Sequence, residues 1–501
     1  MKRLAISLAL ATFASGQLAA QQQPVRLSLA EALARAEGAS PTIGLARAGV
    51  SSAHADLLRN RSARLPQLSG SASYTRTLAS QFSAFASGTS TDTFPKPADC
   101  GHYTPAPGGT VTTRLDSLEH GLDCLANGSS LDFSNLPFGR KNNWTLGLNG
   151  SLSLLDPKLG GQISAARAGE ARADVELTAQ RTKAMLDIAQ AYLDAQLAER
   201  LVEIADSTLA QAQRTFEQTR LERQVGNAAE FDQLRAQVAR DNQNPVVIQR
   251  RAQRDRALLY LRQLLDIPAT APLVLVTPLG DTATTIPPPL APQLAGIADT
   301  SIATRAPVRE AALSLEASDA SVSSARAARL PTLSLSSAYA NIAYPSKVFS
   351  IDKFLTDWTV GVRLDVPLFT GGRLQSGVLS AEAAREASAM RMKQAQQQAQ
   401  RDVQDMSLLL ASAQAVWQAV QGTVAQAARA YSIAELRYRN GLSTLTEVGE
   451  ARVQLGQAEA NRAQAVRDFQ VARIIAALLR DLPFGVTGVL PSAAAGAPGN
   501  Q

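Results

Sequence analysis

Along most of the chain the apolar residues recur at one of two periods, and the switches between them divide it. Residues 28–63 and 297–329 are rich in Ala, Leu and Arg at helical spacing. Both runs meet a proline, Pro66 and Pro331, which removes a backbone donor and pushes its predecessor toward extended geometry. The period then becomes two. Leu68, Gly70, Ala72 and Tyr74 point one way, as do Leu333, Leu335, Ser337 and Tyr339, with Ser and Thr between. Residues 143–155 and 357–369 alternate likewise, with Trp, Leu and Val against Thr, Gly, Asn and Arg. The spacing predicts four strands of about ten residues, apolar on one side and small and polar on the other, which fits an outer-membrane barrel wall. An ordinary half-buried hairpin carries the same pattern.

Two helical stretches follow the second strand of each pair, 158–265 and 372–480, each expected to break once near a glycine. Arms of about 40–65 residues would reach roughly 60–100 Å. Their apolar stripe is thin, with Leu186, Leu193, Leu197, Leu201 and Ile204 forming a coiled-coil-like seam. Such a stripe buries no globular core, so the hairpins need neighbouring helices.

This order occurs twice. Residues 63–74 read ARLPQLSGSASY and residues 328–339 read ARLPTLSLSSAY, eight identities in twelve. Trp144-Thr145-Leu146-Gly147-Leu148 returns as Trp358-Thr359-Val360-Gly361-Val362, and Gly226, with Asp232 six residues on, returns as Gly441 with Glu447. The copies stay in step except for about 51 extra residues between Tyr74 and Trp144, a Pro/Gly/Ser-rich insertion expected to be poor in helix. Four strands cannot close a barrel, and open edges are not tolerated in lipid. Either the sheet is soluble or several chains pool their strands, and three chains would give twelve.

Composition narrows the class. Charged residues are 18% and aromatics 5% of the 501, and no run of eighteen apolar residues follows the N-terminus, so a helical membrane span is not expected. A net charge of +6 over this length is too dilute for nucleic acid. Lys2 and Arg3, the apolar run Leu4–Ala14 and Leu18-Ala19-Ala20 form a three-part secretory signal, residues 1–20, so the mature chain is expected to be exported. No phosphate loop, nucleophile elbow or HExxH motif occurs, and an enzyme is not expected; neither cofactor nor resident metal is implied. His54 stands alone on its helix and reads as a surface residue.

At the level of motifs the chain resembles the TolC-type outer-membrane efflux proteins, also called outer membrane factors. The carriers are Leu27-Ser28-Leu29-Ala30-Glu31-Ala32-Leu33, Arg-Leu-Pro-x-Leu-Ser at 64–69 and 329–334, Val366-Pro367-Leu368-Phe369-Thr370-Gly371-Gly372-Arg373, and the run Tyr438-Arg439-Asn440-Gly441-Leu442-Ser443-Thr444-Leu445-Thr446-Glu447-Val448. The resemblance covers nearly the whole mature chain. It implies a mixed α/β membrane protein: a homotrimer with a twelve-stranded outer-membrane β-barrel set in lipid and continued by a periplasmic α-helical barrel closed at its tip. It also implies an exit channel for small molecules, served by a periplasmic adaptor (a membrane fusion protein) and an inner-membrane transporter. A duct for type I protein secretion shares the architecture, and a periplasmic coiled-coil adaptor is a more distant alternative. The expected divisions are 21–265 for the first repeat, with a long extracellular loop at about 75–141; 266–296 for an equatorial linker; 297–482 for the second repeat; and 483–501 for a flexible tail.

Carried over onto this sequence, the resemblance assigns the tip constriction to Glu447 and Glu450, six and nine residues after Gly441. Three apart on a helix, they share a face, and in a trimer they would form stacked carboxylate rings that focus cations. The alternative is a pair of solvated glutamates. Asp232 matches Glu447 in the first hairpin, but Arg235 stands where Glu450 would. Tyr438 matches a position that bonds across helices to hold the tip shut, whereas Ser443 replaces the family's basic partner. The turns Val225-Gly226-Asn227 and Asn440-Gly441-Leu442-Ser443 resemble adaptor-docking tips, although glycine there also simply ends a helix.

Both cysteines, Cys100 and Cys124, fall in the insertion. An exported loop favours a disulfide between them. A zinc site of Cys100, His102, His120 and Cys124 is the rival reading, and Phe94, Tyr103, Phe133 and Phe138 could pack a small cap over the barrel mouth.

Overall fold

The computed structural model describes residues 25–78, 108–127, 142–226, 228–277, 279–280, 300–345 and 353–485. They divide into two compact units. One comprises residues up to 57, 164–322 and 378 onward; the other comprises 58–163 and 323–377.

The second unit contains a four-stranded antiparallel sheet. Its strands are β2 (Gln67–Arg76), β3 (Asn142–Leu155), β5 (Thr332–Ala343) and β6 (Leu355–Asp365), in the order β2-β3-β5-β6. The register unites the two copies. Tyr74 lies opposite Trp144, and its repeat mate Tyr339 lies opposite Trp358. The ring centroids are 4.9 Å and 6.4 Å apart. Because Leu148 pairs with Tyr339, the two hairpins align and one face runs unbroken from Leu68 through Leu146, Leu148 and Leu335 to Val360, Val362 and Leu364. That face is bare: Leu68 is 77% exposed, Trp358 69% and Val362 65%. Its few polar members bond one another, Trp358 Nε1 donating to Ser337 Oγ at 3.1 Å and Thr356 to Asn341 at 2.9 Å. β6 stops at Asp365, short of the expected 369, where Pro367 cannot donate to a ladder.

The other unit is helical. Its helices, some of them starting or ending in the sheet unit, are α1 (Leu29–Ala39), α2 (Pro41–Ser62), α4 (Lys158–Gln224), α5 (Glu230–Leu264), α6 (Ala306–Ala327), α7 (Arg373–Ala419), α8 (Thr423–Arg439) and α9 (Leu445–Leu478). α3 (Val111–Asn127) lies in the β2–β3 connection. Its 17 residues correct the expectation of a helix-poor insertion. The single helix expected over 28–63 is two, parted at Ser40, with Pro41 opening α2 where its missing donor costs nothing. Ser28 and Glu31 form a reciprocal capping box at the start of α1. α4 runs 67 residues, about 100 Å. The second hairpin breaks twice rather than once. Gly422 parts α7 from α8, whereas the first copy has Ser207 at that place and α4 runs through it.

The main core lies where both hairpins meet the chain start. Leu27, Leu186, Ile188, Tyr192, Leu261, Ile475, Leu479 and Leu482 are buried together. Part of the expected 266–296 linker, β4 (Leu273–Leu275), pairs in parallel with β1 (Val25–Leu27). Tyr192 ties the pair: its hydroxyl donates to the Leu27 carbonyl at 3.0 Å and accepts the Thr277 amide at 3.2 Å. A buried ion pair and a half-exposed one, in which only the arginine is buried, flank this core. Arg305 meets Asp402 at 3.3 Å and the Leu482 carbonyl at 3.3 Å, while Arg467 meets Asp194 at 2.6 Å. Each satisfies a charge that would be costly alone. Phe484 packs on Val308, Ala395 and Ala399, so the expected tail at 483–501 begins inside packed structure; residues 486–501 lie outside those described.

Tyr192→Phe keeps the packing but leaves the Thr277 amide without its acceptor and the Leu27 carbonyl with the Val276 amide alone, which costs about 1–3 kcal/mol. Thermal unfolding of the purified protein should show a lowered midpoint; an unchanged midpoint would deny the tie a structural role.

Candidate functional site

The two hairpin turns gather most of the residues singled out by the sequence. In the second turn Gly441 has φ +72°, its amide donates to the Tyr438 carbonyl at 2.9 Å, and the Leu442 amide donates to the Arg437 carbonyl at 2.8 Å. This paired reversal closes a helix C-terminus and requires the left-handed residue that glycine supplies. Asn440 Nδ2 donates to the Leu436 carbonyl at 2.8 Å, and the Ser443 hydroxyl donates to the Ala434 carbonyl at 3.4 Å. Ser443 is therefore spent inside the turn. In the first turn Gly226 has φ +81°, and Arg223 bridges to Glu230 at 3.1 Å and Gln233 at 2.8 Å. Val225 is 70% exposed and Leu442 69%, so each tip offers one bare aliphatic side chain. Asn227 lies outside the described residues.

Glu447 and Glu450 are exposed on the first two turns of α9 but have different settings. The Glu447 amide donates to the Thr444 hydroxyl at 3.4 Å, which caps the helix and puts an acid where the helix dipole favours one. Glu450 lines a cleft of about 540 Å³ between the hairpins, together with Thr215, Arg235, Tyr431 and Arg452. Arg235, the first-hairpin counterpart of Glu450, thus faces the same cleft as Glu450 itself.

Tyr438 joins the hairpins. Its phenol lies beside the side chain of Thr219 on α4. The Thr219 hydroxyl donates to the Thr215 carbonyl at 2.9 Å. Burial, with the carboxylates of Glu222 and Asp232 adding, raises the Tyr438 phenol above its ordinary range, and Thr219 opposes this. Tyr438 therefore stays protonated at neutral pH. Asp232 is half-buried and close enough to be felt, so the structure brings Asp232 and Tyr438 together. Thr219, fully buried, and Glu222 were missed, because nothing in the sequence pairs them with the second hairpin.

A second missed feature is a carboxyl pair. Glu310 on α6 bonds Glu176 on α4, and burial first, then Glu176, push its carboxyl up to about 7 against the pull of Arg172. Gln180 Nε2 donates to Glu176 at 2.7 Å. His54, expected alone, has its Nδ1 2.6 Å from Glu170. Among the described residues no group of three or more His, Cys, Asp or Glu could hold a metal. The Cys100–Cys124 pairing, its zinc rival and the aromatic cap rest on residues outside those described.

The family model for outer membrane efflux proteins matches residues 121–266 and 298–478, well over half the chain. The chain belongs to the outer membrane efflux protein family. The probable efflux pump outer membrane protein SepC and the toluene efflux pump outer membrane protein TtgF, both of Pseudomonas putida, are each 26% identical over 278 residues, 54% of this chain. These matches span 55% of the length of each relative. Crystal structures with the same fold include CusC (TM-score 0.65, 20% identity, 90% of this chain and 91% of that one). Another is VceC of Vibrio cholerae (0.64, 20%, 90% and 95%). A third is the open state of the MtrE channel of Neisseria gonorrhoeae (0.65, 18%, 90% and 88%). The fold is that of outer-membrane channels, a β-barrel wall continued by long helices. As a member of this efflux protein family the chain is an outer-membrane protein with a periplasmic helical domain, in a family of transport proteins.

The raised Glu310 carboxyl sets a direction for pH dependence. Its folded pKa of about 7 lies above the unfolded 4.5, so the folded state holds the extra proton and loses stability as pH rises from 4.5 through 7. Thermal melts across that range should show the decline, and Glu310→Gln should flatten it; an identical slope in the variant would refute the assignment.

Proposed function

We propose that the protein is the outer-membrane exit channel of a tripartite efflux system. It works as a homotrimer that passes small molecules received from a periplasmic adaptor and an inner-membrane transporter. The observation that carries this reading is the open sheet: two unpaired edge strands, β2 and β6, and an unbroken apolar face left bare. Such a sheet is stable in lipid only when other copies close it. The helical unit supports the same reading, since Phe231, Leu234 and Val238 make an exposed stripe on α5 and Ile433 and Leu436 continue one on α8.

Within this reading the tip is the gate. Tyr438, beside Thr219, holds the second hairpin against the first, and Asp232 lies in the same cluster. Glu447 and Glu450, repeated three times about the axis, form the cation-favouring constriction. Val225, Gly226, Asn227 and Asn440, Gly441, Leu442, Ser443 form the tips that meet the adaptor. The chain supplies no energy of its own; the transporter does.

Mass measurement of the detergent-solubilised protein should give a trimer, and planar-bilayer recording should give cation-preferring conductance. Glu447→Gln with Glu450→Gln should lower the cation preference and weaken block by multivalent cations. Tyr438→Phe should raise the open probability. A stable monomer without conductance would end the channel reading, and unchanged selectivity in the double variant would return both glutamates to ordinary solvated residues.

A further inference from the structure

The connection between β2 and β3 contains a helix whose apolar side meets no partner among the described residues. Val111, Leu115, Leu118 and Leu122 are 74%, 60%, 62% and 65% exposed. Their spacing is four, three, four, and Leu125 continues it in the sequence. This is a heptad seam with Leu115 and Leu122 at one core position and Val111 and Leu118 at the other. A helix of 17 residues with this row open to water is marginal alone.

The geometry points to a second and third copy of this chain as the occupant: three α3 helices, one from each protomer, pack their seams as a parallel coiled coil on the axis of the channel, outside its mouth. The inference rests on the trimer proposed above. Three observations favour it over a lipid surface. First, the apolar row follows a strict heptad rather than the broad stripe of an interfacial helix. Second, the remaining face is acidic, with Asp116, Glu119 and Asp123 against Arg114, which suits neither an anionic membrane surface nor the basic polar face of membrane-lying helices. Third, the flanking charges complement each other between parallel copies. Arg114 precedes the Leu115 core position and Glu119 follows the Leu118 core position. Those are the two flanks that meet across neighbouring helices of a coiled coil.

Topology puts the helix in the right place. β2 and β3 are joined at the Arg76–Asn142 end, whereas α2 and α4 leave from the Gln67–Ser151 end. The connection that contains α3 therefore leaves the sheet at the end opposite the one that joins α2 and α4. Rotational symmetry about the channel axis makes the three copies parallel.

The test uses the full-length protein in detergent and in lipid vesicles, with the photo-crosslinker p-benzoylphenylalanine placed at Leu118 or, as control, at His120 on the opposite face. Irradiation should give dimer and trimer bands at least about fivefold stronger from position 118 than from 120. Arg114→Glu should reduce the 118 crosslink severalfold, and adding Glu119→Arg should restore it. Mass before irradiation separates the failures. Loss of the trimer defeats both this inference and the channel assembly. An intact trimer with equal crosslinking at 118 and 120, with crosslinks to lipid instead, or with no response to the charge reversal, overturns the coiled coil alone.

Discussion

Two strand edges without partners govern the architecture. β2 and β6 each carry a row of backbone donors and acceptors directed outward, and the face between them is apolar and uncovered. In water such a sheet would aggregate by its edges; in lipid its edges would be unsatisfied. Only closure by further copies removes both problems, and closure requires that each copy bring its helices to the same axis. The thin seams of the long hairpins are the counterpart of that demand. They bury one side within the chain and leave Phe231, Leu234 and Val238 for a neighbour.

Hairpins of this length need a fixed root, and Tyr192 with its surroundings provides it. One hydroxyl serves β1 and β4 at once, inside a cluster drawn from α1, α4, α5, α7 and α9. The buried Arg305–Asp402 pair and the buried Arg467, paired with the half-exposed Asp194, lie beside it. Ion pairs so placed add little net stability over an apolar substitute. They do penalise any slip that would separate a buried charge from its partner, so they fix how α7 and α9 sit against α4 and α6. Away from this root, packing thins toward the tips, where hydrogen bonds and salt bridges replace apolar burial.

The sequence disclosed whatever was written twice. Tyr74 and Trp144 matched Tyr339 and Trp358 before any pairing was visible, and the structure sets each pair across a hairpin. Strand faces followed from period two, and the turn glycines from their shared offset. Features written once were harder. β1 and β4 are three residues each, too short to show a period. α3 was hidden because its heptad is embedded in Pro- and Gly-rich sequence whose composition argued against a helix. The break at Gly422 lacked a mate in the first copy. Thr219 beneath Tyr438, and Glu176 beside Glu310, depend on how two distant helices face each other, which no single helix pattern records.

The places where duplication fails are informative about the proposed gate. Both hairpins reverse at a glycine, Gly226 and Gly441, but the first has an uninterrupted arm of 67 residues while the corresponding arm of the second has a joint at Gly422. A jointed arm bends at lower cost than a continuous one, because its backbone hydrogen-bond ladder is already interrupted. In the proposed gate the second hairpin is thus the arm that bends more readily. Tyr438 beside Thr219 spans the two hairpins, and in the proposed gate a single neutral contact of about 1 kcal/mol is weak enough for a docking partner to release. Arg235 of the first hairpin lines the same cleft as Glu450 of the second, so the cleft holds charges of both signs, one from each copy.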